Sequence, residues 1–262
     1  MKRDYHISFI GAGNLATNLA KAFYNKGFVI DQIFSKTTES AQSLAGEVEA
    51  LSTTSLEDVI LTSDLYIIAL KDDVLPQLLS RIIANKENAL FVHTAGSVPM
   101  NIFEGHSNRY GVFYPMQTFT KERVVDFSTI PLFIEANNPS DKKTLMDIAS
   151  IISSKVYEAN SEQRKKLHLA AVFSCNFVNH LYALSAEILE EYGLPFDSML
   201  SLIDETTQKI HHLHPKDAQT GPAVRNDQDV MNRHLSMLAP HPDVQEVYRL
   251  LSKNIVKHKA NK

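Results

Sequence analysis

A glycine turn near the start of the chain constrains the fold more than any other feature. The apolar run at residues 5–10 meets Gly-Ala-Gly, and residues 14–25 then repeat apolar side chains at helical spacing. A strand, a glycine turn and a helix in this order are typical of a dinucleotide-binding β-α-β unit. In the pattern Gly-x-Gly-x-x-Ala, the first glycine permits the turn, the second admits a pyrophosphate, and Ala16 lets the helix pack close to the sheet. A glycine turn without a ligand is the alternative interpretation.

Short apolar segments alternate with helical patterns through the first 159 residues. The segments of strand length are residues 5–10, 30–34, 48–51, 65–70, 89–93, 111–114, 132–136 and 156–157. Such alternation predicts an α/β fold with a Rossmann-type, mostly parallel sheet that is covered on both faces. From about residue 160 the pattern is helical throughout. We therefore predict a Rossmann domain over residues 1–159 and an all-α C-terminal domain over residues 160–262.

The composition argues against several kinds of partner. The 262 residues are 44% hydrophobic and 21% charged, with a net charge of −4 and no basic block, which is unlike proteins that bind nucleic acid or anionic membranes. No apolar run of about 18 residues predicts a membrane span, and the N-terminus lacks the pattern of a signal peptide. The single cysteine, Cys175, cannot form an internal disulfide and is expected to be a small buried residue. We therefore expect a cytoplasmic protein.

The end of the second predicted strand indicates which dinucleotide is bound. NAD sites usually place Asp or Glu there, to accept a hydrogen bond from the ribose. Here the strand runs into Ser35, Lys36 and Thr37, and the first carboxylate is Glu39. Hydroxyl groups and a lysine suit the 2′-phosphate of NADP, because an anion needs cations and donors. The sequence therefore predicts NADP as the cofactor. A polar turn that caps the next helix is the alternative, and both can hold.

Other loops at the carboxyl ends of the predicted strands should face the same crevice, where open α/β sheets bind ligands. In one of them Asp72 or Asp73 can cap a helix that the pattern predicts over residues 72–86. Another, residues 93–97, lies where a nicotinamide would bind. His93 is equally well explained as a strand-end histidine that backbone groups satisfy. The residues expected to contact the cofactor are Gly11, Ala12, Gly13, Asn14, Leu15, Ser35, Lys36, Thr37, Leu70, Lys71, Thr94, Ala95 and Gly96.

One face of the helical segment 161–193 combines polar and apolar side chains. His168 and Asn176 recur at helical spacing on it. The apolar side chains beside them, expected to be core, are Leu169, Val172, Phe173, Phe177 and Leu181. A polar stripe beside an apolar face is costly unless it is hydrogen-bonded or faces a cavity. Histidine changes its charge near neutral pH, so His168 is a candidate proton donor, and Asn176 is a candidate for orienting the substrate. Hydrogen bonds within a helix-packing contact are the alternative.

Residues 220–227 are a second candidate segment. Their Gly-Pro pair predicts a turn, and Asn226 or Asp227 can cap the following helix. Arg225 can bind a carboxylate or a phosphate, or form an ion pair between domains or subunits. A histidine cluster nearby lacks metal-ligand spacing and an acidic partner, so we predict no metal site. Its members are His211, His212 and His214.

The first half of the chain resembles the NADP-binding domain shared by pyrroline-5-carboxylate reductases, deazaflavin-dependent NADP oxidoreductases and 3-hydroxyisobutyrate-type dehydrogenases. The whole chain resembles a mostly bacterial family of Rossmann-like NADP oxidoreductases with a helical C-terminal domain and no assigned substrate. The residues that carry this resemblance are the GAGNLA turn, the HTAGS loop, residues 114–119, the helix of His168 and Asn176, residues 220–227 and His234.

The resemblance implies a homodimer built through the helical domain, with an active site between the cofactor domain and the helices. In the 3-hydroxyisobutyrate-type enzymes a lysine four residues before an asparagine donates a proton to the carbonyl. If that asparagine corresponds to Asn176, Val172 stands at the position of the lysine, and Lys165 and Lys166 lie too far back. This departure argues against carbonyl reduction by the same mechanism.

We therefore predict an NADPH-dependent oxidoreductase that reduces a small carbonyl or imine substrate bearing an anionic group. His168, Asn176 and Arg225 are the predicted catalytic residues. An imine substrate would not need a lysine acid, because an iminium can arrive already protonated. The alternative, from a different class, is a regulatory or structural NADP-binding module that performs no hydride transfer.

Overall fold

The computed structural model describes residues 3–260 and the side chains of residues 5–258. The chain divides into two compact units, residues 1–175 and residues 176–262. The last strand ends at Glu158 and the next helix begins at Ser161. The division of function at residue 159, between cofactor binding and substrate binding, stays a prediction.

The first unit contains an eight-stranded sheet in the order β3-β2-β1-β4-β5-β6-β7-β8. The strands are β1 (Arg3–Ile10), β2 (Phe28–Phe34), β3 (Leu51–Thr53), β4 (Leu65–Ile68), β5 (Leu90–His93), β6 (Tyr110–Pro115), β7 (Leu132–Ala136) and β8 (Val156–Glu158). Every neighbouring pair is parallel except β6 and β7. The predicted Rossmann-type, mostly parallel sheet is confirmed.

The antiparallel step follows from the connection between β6 and β7. Parallel neighbours usually need a helical crossover. In the described structure the segment between these two strands contains a short 3-10 turn, Phe127–Thr129, and no α-helix. Strand β7 therefore returns antiparallel to β6, and the helix after β7 restores the parallel direction of β8.

Both faces of the sheet are buried. The helices of this unit are α1 (Asn14–Asn25), α2 (Thr38–Glu47), α3 (Leu75–Ile83), α4 (Pro139–Ile152) and α5 (Ser161–Ala171). Leu65 and Ile67 belong to the apolar cluster under α1, α2 and α4, whereas Tyr66 and Ile68 belong to the cluster under α3. Because successive side chains of a strand point to opposite faces, an unbroken apolar run is what a doubly covered sheet requires.

Two elements lie elsewhere than predicted. The third strand is β3 rather than residues 48–51, because α2 extends to Glu47 and Val48 is its C-cap. Helix α3 is shorter than the predicted residues 72–86. It ends before Asn85, which has a positive φ of 62° and so cannot continue a right-handed helix.

The second unit, as described, is helical throughout. Its helices are α6 (Phe177–Glu191), α7 (Leu200–Lys209), α8 (Pro215–Ala218), α9 (Pro222–Arg225), α10 (Gln228–Met237) and α11 (Pro242–Ala260), and a 3-10 turn at Phe196–Met199 precedes α7. Asp227 caps α10 as predicted, since its Oδ1 accepts a hydrogen bond of 3.2 Å from the Val230 N–H.

Helix α5, a π-helical turn at Val172–Asn176 and helix α6 form one segment of 31 residues, Ser161–Glu191. By length and composition alone this segment could cross a membrane: its most apolar window has a mean hydropathy of 1.2, and none of that window is buried. One such helix is weak evidence for a membrane span, and the expectation that no segment of the chain spans a membrane stays a prediction. The π turn also interrupts the α-helical spacing on which the predicted stripe of His168 and Asn176 rests.

The apolar side chains of this segment are not core in the described chain. Phe173 is 63% exposed, and Leu169, Phe177 and Leu181 are exposed as well. Val172 is half-buried, and Cys175, expected to be buried, is exposed. Apolar residues at helical spacing predict a face that must be covered, but they do not say whether the chain itself covers it.

Candidate cofactor and active site

The glycine turn after β1 lies at the carboxyl edge of the sheet. Gly11 has a φ of +121°, and a Cβ there would overlap the carbonyl oxygen of Ala69. The Gly11 N–H donates to the Phe34 carbonyl at 2.8 Å, and the Ala69 N–H donates to the Ile10 carbonyl at 2.8 Å. Only glycine fits this position, because the backbone of the loop after β4 passes directly against it.

Gly13 differs from Gly11 because the space beside it is open. A Cβ on Gly13 would meet no heavy atom of the described chain within 4 Å. Gly13 is the N-cap of α1 with an ordinary φ of −79°, and no described side chain caps the helix. The first-turn N–H groups of a helix carry partial positive charge and attract anions. The turn therefore fits a pyrophosphate, which would lie where a Gly13 side chain would otherwise stand.

The other residues of the glycine turn differ in burial in a way that also suits a pyrophosphate site. Ala12 and Ala16 are buried, whereas Gly13 and Asn14 are exposed and Leu15 is half-buried. The small buried side chains hold α1 close to the sheet, and the exposed backbone faces solvent.

The polar segment after β2 presents its side chains outward. The Ser35 N–H donates to the Thr53 carbonyl at 3.1 Å, which fixes the backbone. Lys36 and Thr37 are exposed. Thr37 stands at the N-cap of α2, but its hydroxyl makes no capping hydrogen bond to the described chain. Both side chains are thus available to a ligand, as a 2′-phosphate site requires.

A hydrogen bond between side chains joins the loops after β4 and β5. The Ser97 hydroxyl donates to the Asp72 carboxylate. The expectation that Asp72 or Asp73 caps α3 is wrong, because Val74 is the N-cap. In the same loop Lys71 is exposed and Leu70 is half-buried. The Lys71 carbonyl accepts from the Val74 N–H at 3.0 Å, which shapes the turn into α3.

His93 ends β5 and is fully buried. Its Nδ1 accepts a hydrogen bond of 3.2 Å from the Ala95 N–H, so it shapes the loop behind it. Its Nε2 has no hydrogen-bond partner among the described atoms. Burial, and then the nearby positive charge of Arg164, lower the pKa of His93 to about 3. His93 therefore stays neutral near pH 7 and supports the loop through the backbone.

The buried neutral His93 makes the stability of the fold depend on pH. Its pKa is about 3 when folded and 6.5 when exposed, so the unfolded chain binds more protons between these values. Stability is therefore fully present above pH 6.5 and falls as the pH drops towards 3. We expect His93→Asn, which keeps an acceptor for the Ala95 N–H, to reduce the loss of stability between pH ~7 and ~4 by about 2 kcal/mol. Urea unfolding over this pH range measures the free energy of unfolding of the natural protein and of His93→Asn, and His106→Gln, at an exposed histidine, is the control. An equal dependence of this free energy on pH in all three proteins would contradict the role of His93.

His168 lies beside the cofactor loop. Its Nδ1 is 3.2 Å from the Tyr114 hydroxyl, and the two rings meet edge to face. A Cβ on Gly96 would come within 2.7 Å of the same Nδ1, so the imidazole rests against the Gly96 backbone. Tyr114 is 7% exposed, and burial raises the pKa of its hydroxyl. The hydroxyl therefore stays protonated and can hold the ring in one orientation. Helix α5 and the loop after β5 thus bring together two of the predicted sites.

Sequence reasoning missed Arg164, one helical turn before His168. Arg164 is fully buried and is the largest such side chain among the described residues. It pairs with Glu135 on β7 and donates to the carbonyls of Ala95 and Val98. Nothing in the local pattern distinguishes it from the exposed Lys166, so only the spacing of four residues to His168 could have drawn attention to it.

The other two predicted catalytic residues belong to the second unit. Asn176 is exposed, and Arg225 is exposed at the end of the short helix α9. The following Asn226 is in the left-handed region, with a φ of 55°. The convergence of Asn176 and Arg225 with His168 stays a prediction.

The second unit also contains an apolar cavity of about 350 Å³. It is lined by α6, α11 and residues 220–223, with the side chains of Leu184, Val247 and Leu251 among its walls. His211, His212 and His214 are exposed, and the His214 Nδ1 accepts from the Lys216 N–H at 3.3 Å. Among the described residues no group of three or more His, Cys, Asp or Glu side chains could hold a metal ion.

Two family models match this chain. Residues 6–96 match the family described as NADP oxidoreductase, coenzyme F420-dependent, and residues 130–255 match a domain of unknown function, DUF2520. A crystal structure of a "putative NADP oxidoreductase" from Bacteroides fragilis is 59% identical over 97% of this chain and 98% of its own, with a TM-score of 0.94. Comparison with curated proteins finds no match.

More distant structures share the fold. An imine reductase from Myxococcus stipitatus in complex with NADP+ is 15% identical over 96% of this chain and 92% of its own, with a TM-score of 0.66. A Plasmodium falciparum pyrroline carboxylate reductase with NADP bound is 15% identical, and the match covers 99% of this chain and 100% of the reductase, with a TM-score of 0.60.

Proposed function

We propose, from the premise that this chain belongs to the family of NADP oxidoreductases represented by its Bacteroides fragilis relative, that it reduces a small carbonyl or imine substrate with NADPH. The observation that carries the proposal is His168: its imidazole rests on Gly96 of the cofactor loop and is hydrogen-bonded to Tyr114. A reduction needs a proton donor beside the bound cofactor, and open α/β sheets bind ligands at their carboxyl edge. His168 holds a titratable side chain at this edge.

The residues that would hold the cofactor form three groups. The open turn at Gly13 and the uncapped N-terminus of α1 suit the pyrophosphate, Ser35 and Lys36 suit the 2′-phosphate, and the loop of residues 94–96 suits the nicotinamide. When bound, NADPH supplies the hydride of a reduction. The protein orients the reactants, supplies a proton and stabilises charge.

We expect Lys36→Ala to weaken NADPH binding about tenfold and to leave NADH binding within about twofold, because only NADPH carries the 2′-phosphate. Lys36 is exposed after β2, so its removal should leave the melting temperature unchanged. Cofactor fluorescence titrations of the variant with both nucleotides measure the effect. An equal loss for NADPH and NADH would contradict this assignment of Lys36.

The proposed role of His168 is to donate a proton to the substrate. In the proton-donating form, the imidazolium, the Nδ1–H would donate to the Tyr114 oxygen and the Nε2 proton would be the one transferred; the neutral ring that remains would accept from the Tyr114 hydroxyl at Nδ1. Asn176 and Arg225 are proposed to orient the substrate and bind its anionic group. Val172 in place of a lysine favours an imine, since an iminium needs no acid from the protein.

A substrate screen tests this function. We expect NADPH oxidation with small cyclic imines that carry a carboxylate, and slower oxidation with the matching ketones and aldehydes. Removing the carboxylate from an accepted substrate should raise KM more than it lowers kcat, because Arg225 is proposed to contribute binding. Tight NADPH binding without turnover of any imine or carbonyl would favour the alternative, an NADP-binding regulatory or structural module.

The exposed apolar helices of the second unit support a proposed homodimer. Phe177, Leu181 and Ile188 on α6, with Leu250 and Leu251 on α11, are all exposed. A second copy is a better cover than lipid for α6, because the same helix carries Asn179, His180 and several glutamates that a bilayer would disfavour. We propose that this dimer forms in the cytoplasm, where the exposed thiol of Cys175 would stay reduced.

A further inference from the structure

We infer that Arg164 is a positioning residue, which clamps the cofactor loop after β5 to helix α5 and so fixes Gly96 against His168. This inference rests on the proposed function for its link to the cofactor. The clamp itself is a property of the described chain.

The guanidinium of Arg164 grips the backbone on both sides of Gly96. Its Nε donates to the Ala95 carbonyl at 3.2 Å, and its Nη2 donates to the Val98 carbonyl at 2.5 Å. A planar fork that holds two carbonyls fixes the path of the residues between them, which a single hydrogen bond cannot do.

The other end of the clamp is anchored in the sheet. Arg164 Nη1 lies 2.5 Å from Glu135 Oε2 on β7. Glu135 in turn accepts hydrogen bonds from the N–H and the hydroxyl of Ser161 at the start of α5, at 3.0 and 2.8 Å. The Ser161 hydroxyl also accepts from the Met100 N–H at 2.9 Å. The network therefore joins β7, the beginning of α5 and both ends of residues 95–100.

The position of Arg164 on α5 links this network to His168. Residues four apart in a helix project from the same face, and His168 follows Arg164 by four. The same helical face thus holds the carbonyls on either side of Gly96 and places an imidazole against Gly96 itself. Any displacement of the loop relative to α5 would separate Gly96 from His168.

Stability alone does not explain a fully buried arginine. The desolvation of a buried ion pair offsets much of the attraction between its charges. Replacing such a pair with apolar residues of the same size often leaves the stability of a protein unchanged. The fold has a comparable pair elsewhere: Arg109 donates to the buried Asp141 and to the Asn88 carbonyl, but it stands at the amino edge of the sheet. Arg109, whose side chain is 42% exposed, therefore serves as a control for the loss of an arginine–carboxylate pair far from the cofactor loop.

Amide hydrogen exchange and NADPH titration of Arg164→Lys and Arg109→Lys test the clamp. Lysine keeps the charge in both variants but loses the fork. We expect Arg164→Lys to raise exchange of the amides at residues 95–98 at least about tenfold and to raise the NADPH Kd about tenfold. Arg109→Lys should change neither the amide exchange at residues 95–98 nor the NADPH Kd by more than about twofold. If Arg164→Lys does not fold, the milder variant Ser161→Ala replaces it, and it should also raise the amide exchange at residues 95–98 and the NADPH Kd.

The outcomes separate the clamp from the proposed function. Unchanged exchange at residues 95–98 in Arg164→Lys, or an equal rise in Arg109→Lys, overturns the inference. Faster exchange with an unchanged NADPH Kd also overturns it, because the loop would then not position the cofactor. If the natural protein binds no NADPH, the proposed function fails, and the exchange data from cofactor-free protein still decide whether the clamp exists.

Discussion

Replacing Gly11 with alanine is expected to abolish NADPH binding and to destabilise the fold by about 3 kcal/mol or more. A Cβ at Gly11 would overlap the Ala69 carbonyl, and a φ of +121° is strained for any L side chain. The loops after β1 and β4 would have to separate, and both belong to the proposed cofactor site. Chemical denaturation measures the first effect, and cofactor titration measures the second as a loss of at least about 100-fold in affinity.

Gly13→Ala is the informative counterpart of Gly11→Ala. Its Cβ would enter open space at an ordinary φ, so we expect the melting temperature to stay within a few degrees. The same methyl group would stand where the pyrophosphate is proposed to bind, so NADPH affinity should fall at least about tenfold. Gly46→Ala in α2, where the space is also open, should alter neither property for the worse. Normal NADPH binding by Gly13→Ala would contradict the proposed phosphate site.

Replacing His168 with glutamine is expected to lower kcat by about 10²- to 10³-fold and to leave the NADPH Kd within about twofold. A positioned general acid contributes a rate factor of this order, whereas it contributes little to cofactor affinity. Glutamine can still accept a hydrogen bond from the Tyr114 hydroxyl, so the contact that orients this side chain is kept. The measurements are kcat with an accepted ketone or aldehyde, whose reduction needs a proton from the protein, and the NADPH Kd by fluorescence.

His106→Gln is the matched control for the His168 variant. His106 also pairs with a hydroxyl, since its Nδ1 lies 3.4 Å from the Ser80 oxygen, but it is exposed and stands before β6 at the amino edge of the sheet. The kcat of the His106→Gln variant should remain within about twofold of the kcat of the natural protein. An unchanged kcat in His168→Gln would remove His168 from the proposed chemistry and leave the binding-module alternative in place.

The strands of the sheet could be predicted from the sequence because each is marked by a short pattern of neighbouring residues. An unbroken apolar run such as LYII is typical of a fully buried strand, and Gly-x-Gly-x-x-Ala between a strand and a helix is typical of a dinucleotide-binding turn. Element boundaries were harder to predict. The end of α3 depends on the backbone conformation of Asn85, and the position of β3 depends on how far α2 extends.

The candidate site was only partly predictable because it depends on contacts distant in sequence. His168 was found from its residue type, but its partners Tyr114 and Gly96 come from other elements. Arg164 was missed for the same reason, since its ligands are carbonyl groups about 70 residues earlier in the chain. The apolar face of the long helix was correctly identified as apolar, but sequence periodicity could not show that it is exposed in a single chain.

Titration of the natural protein into NADPH, and separately into NADH, tests the central claim most directly. The chain contains no tryptophan, so the fluorescence of the reduced nicotinamide can be followed with little background from the protein. We predict saturable NADPH binding at least about tenfold tighter than NADH binding, because Lys36 and its hydroxyl neighbours suit a 2′-phosphate. Binding of neither nucleotide would contradict the cofactor site at the glycine turn, and the proposed reduction with it.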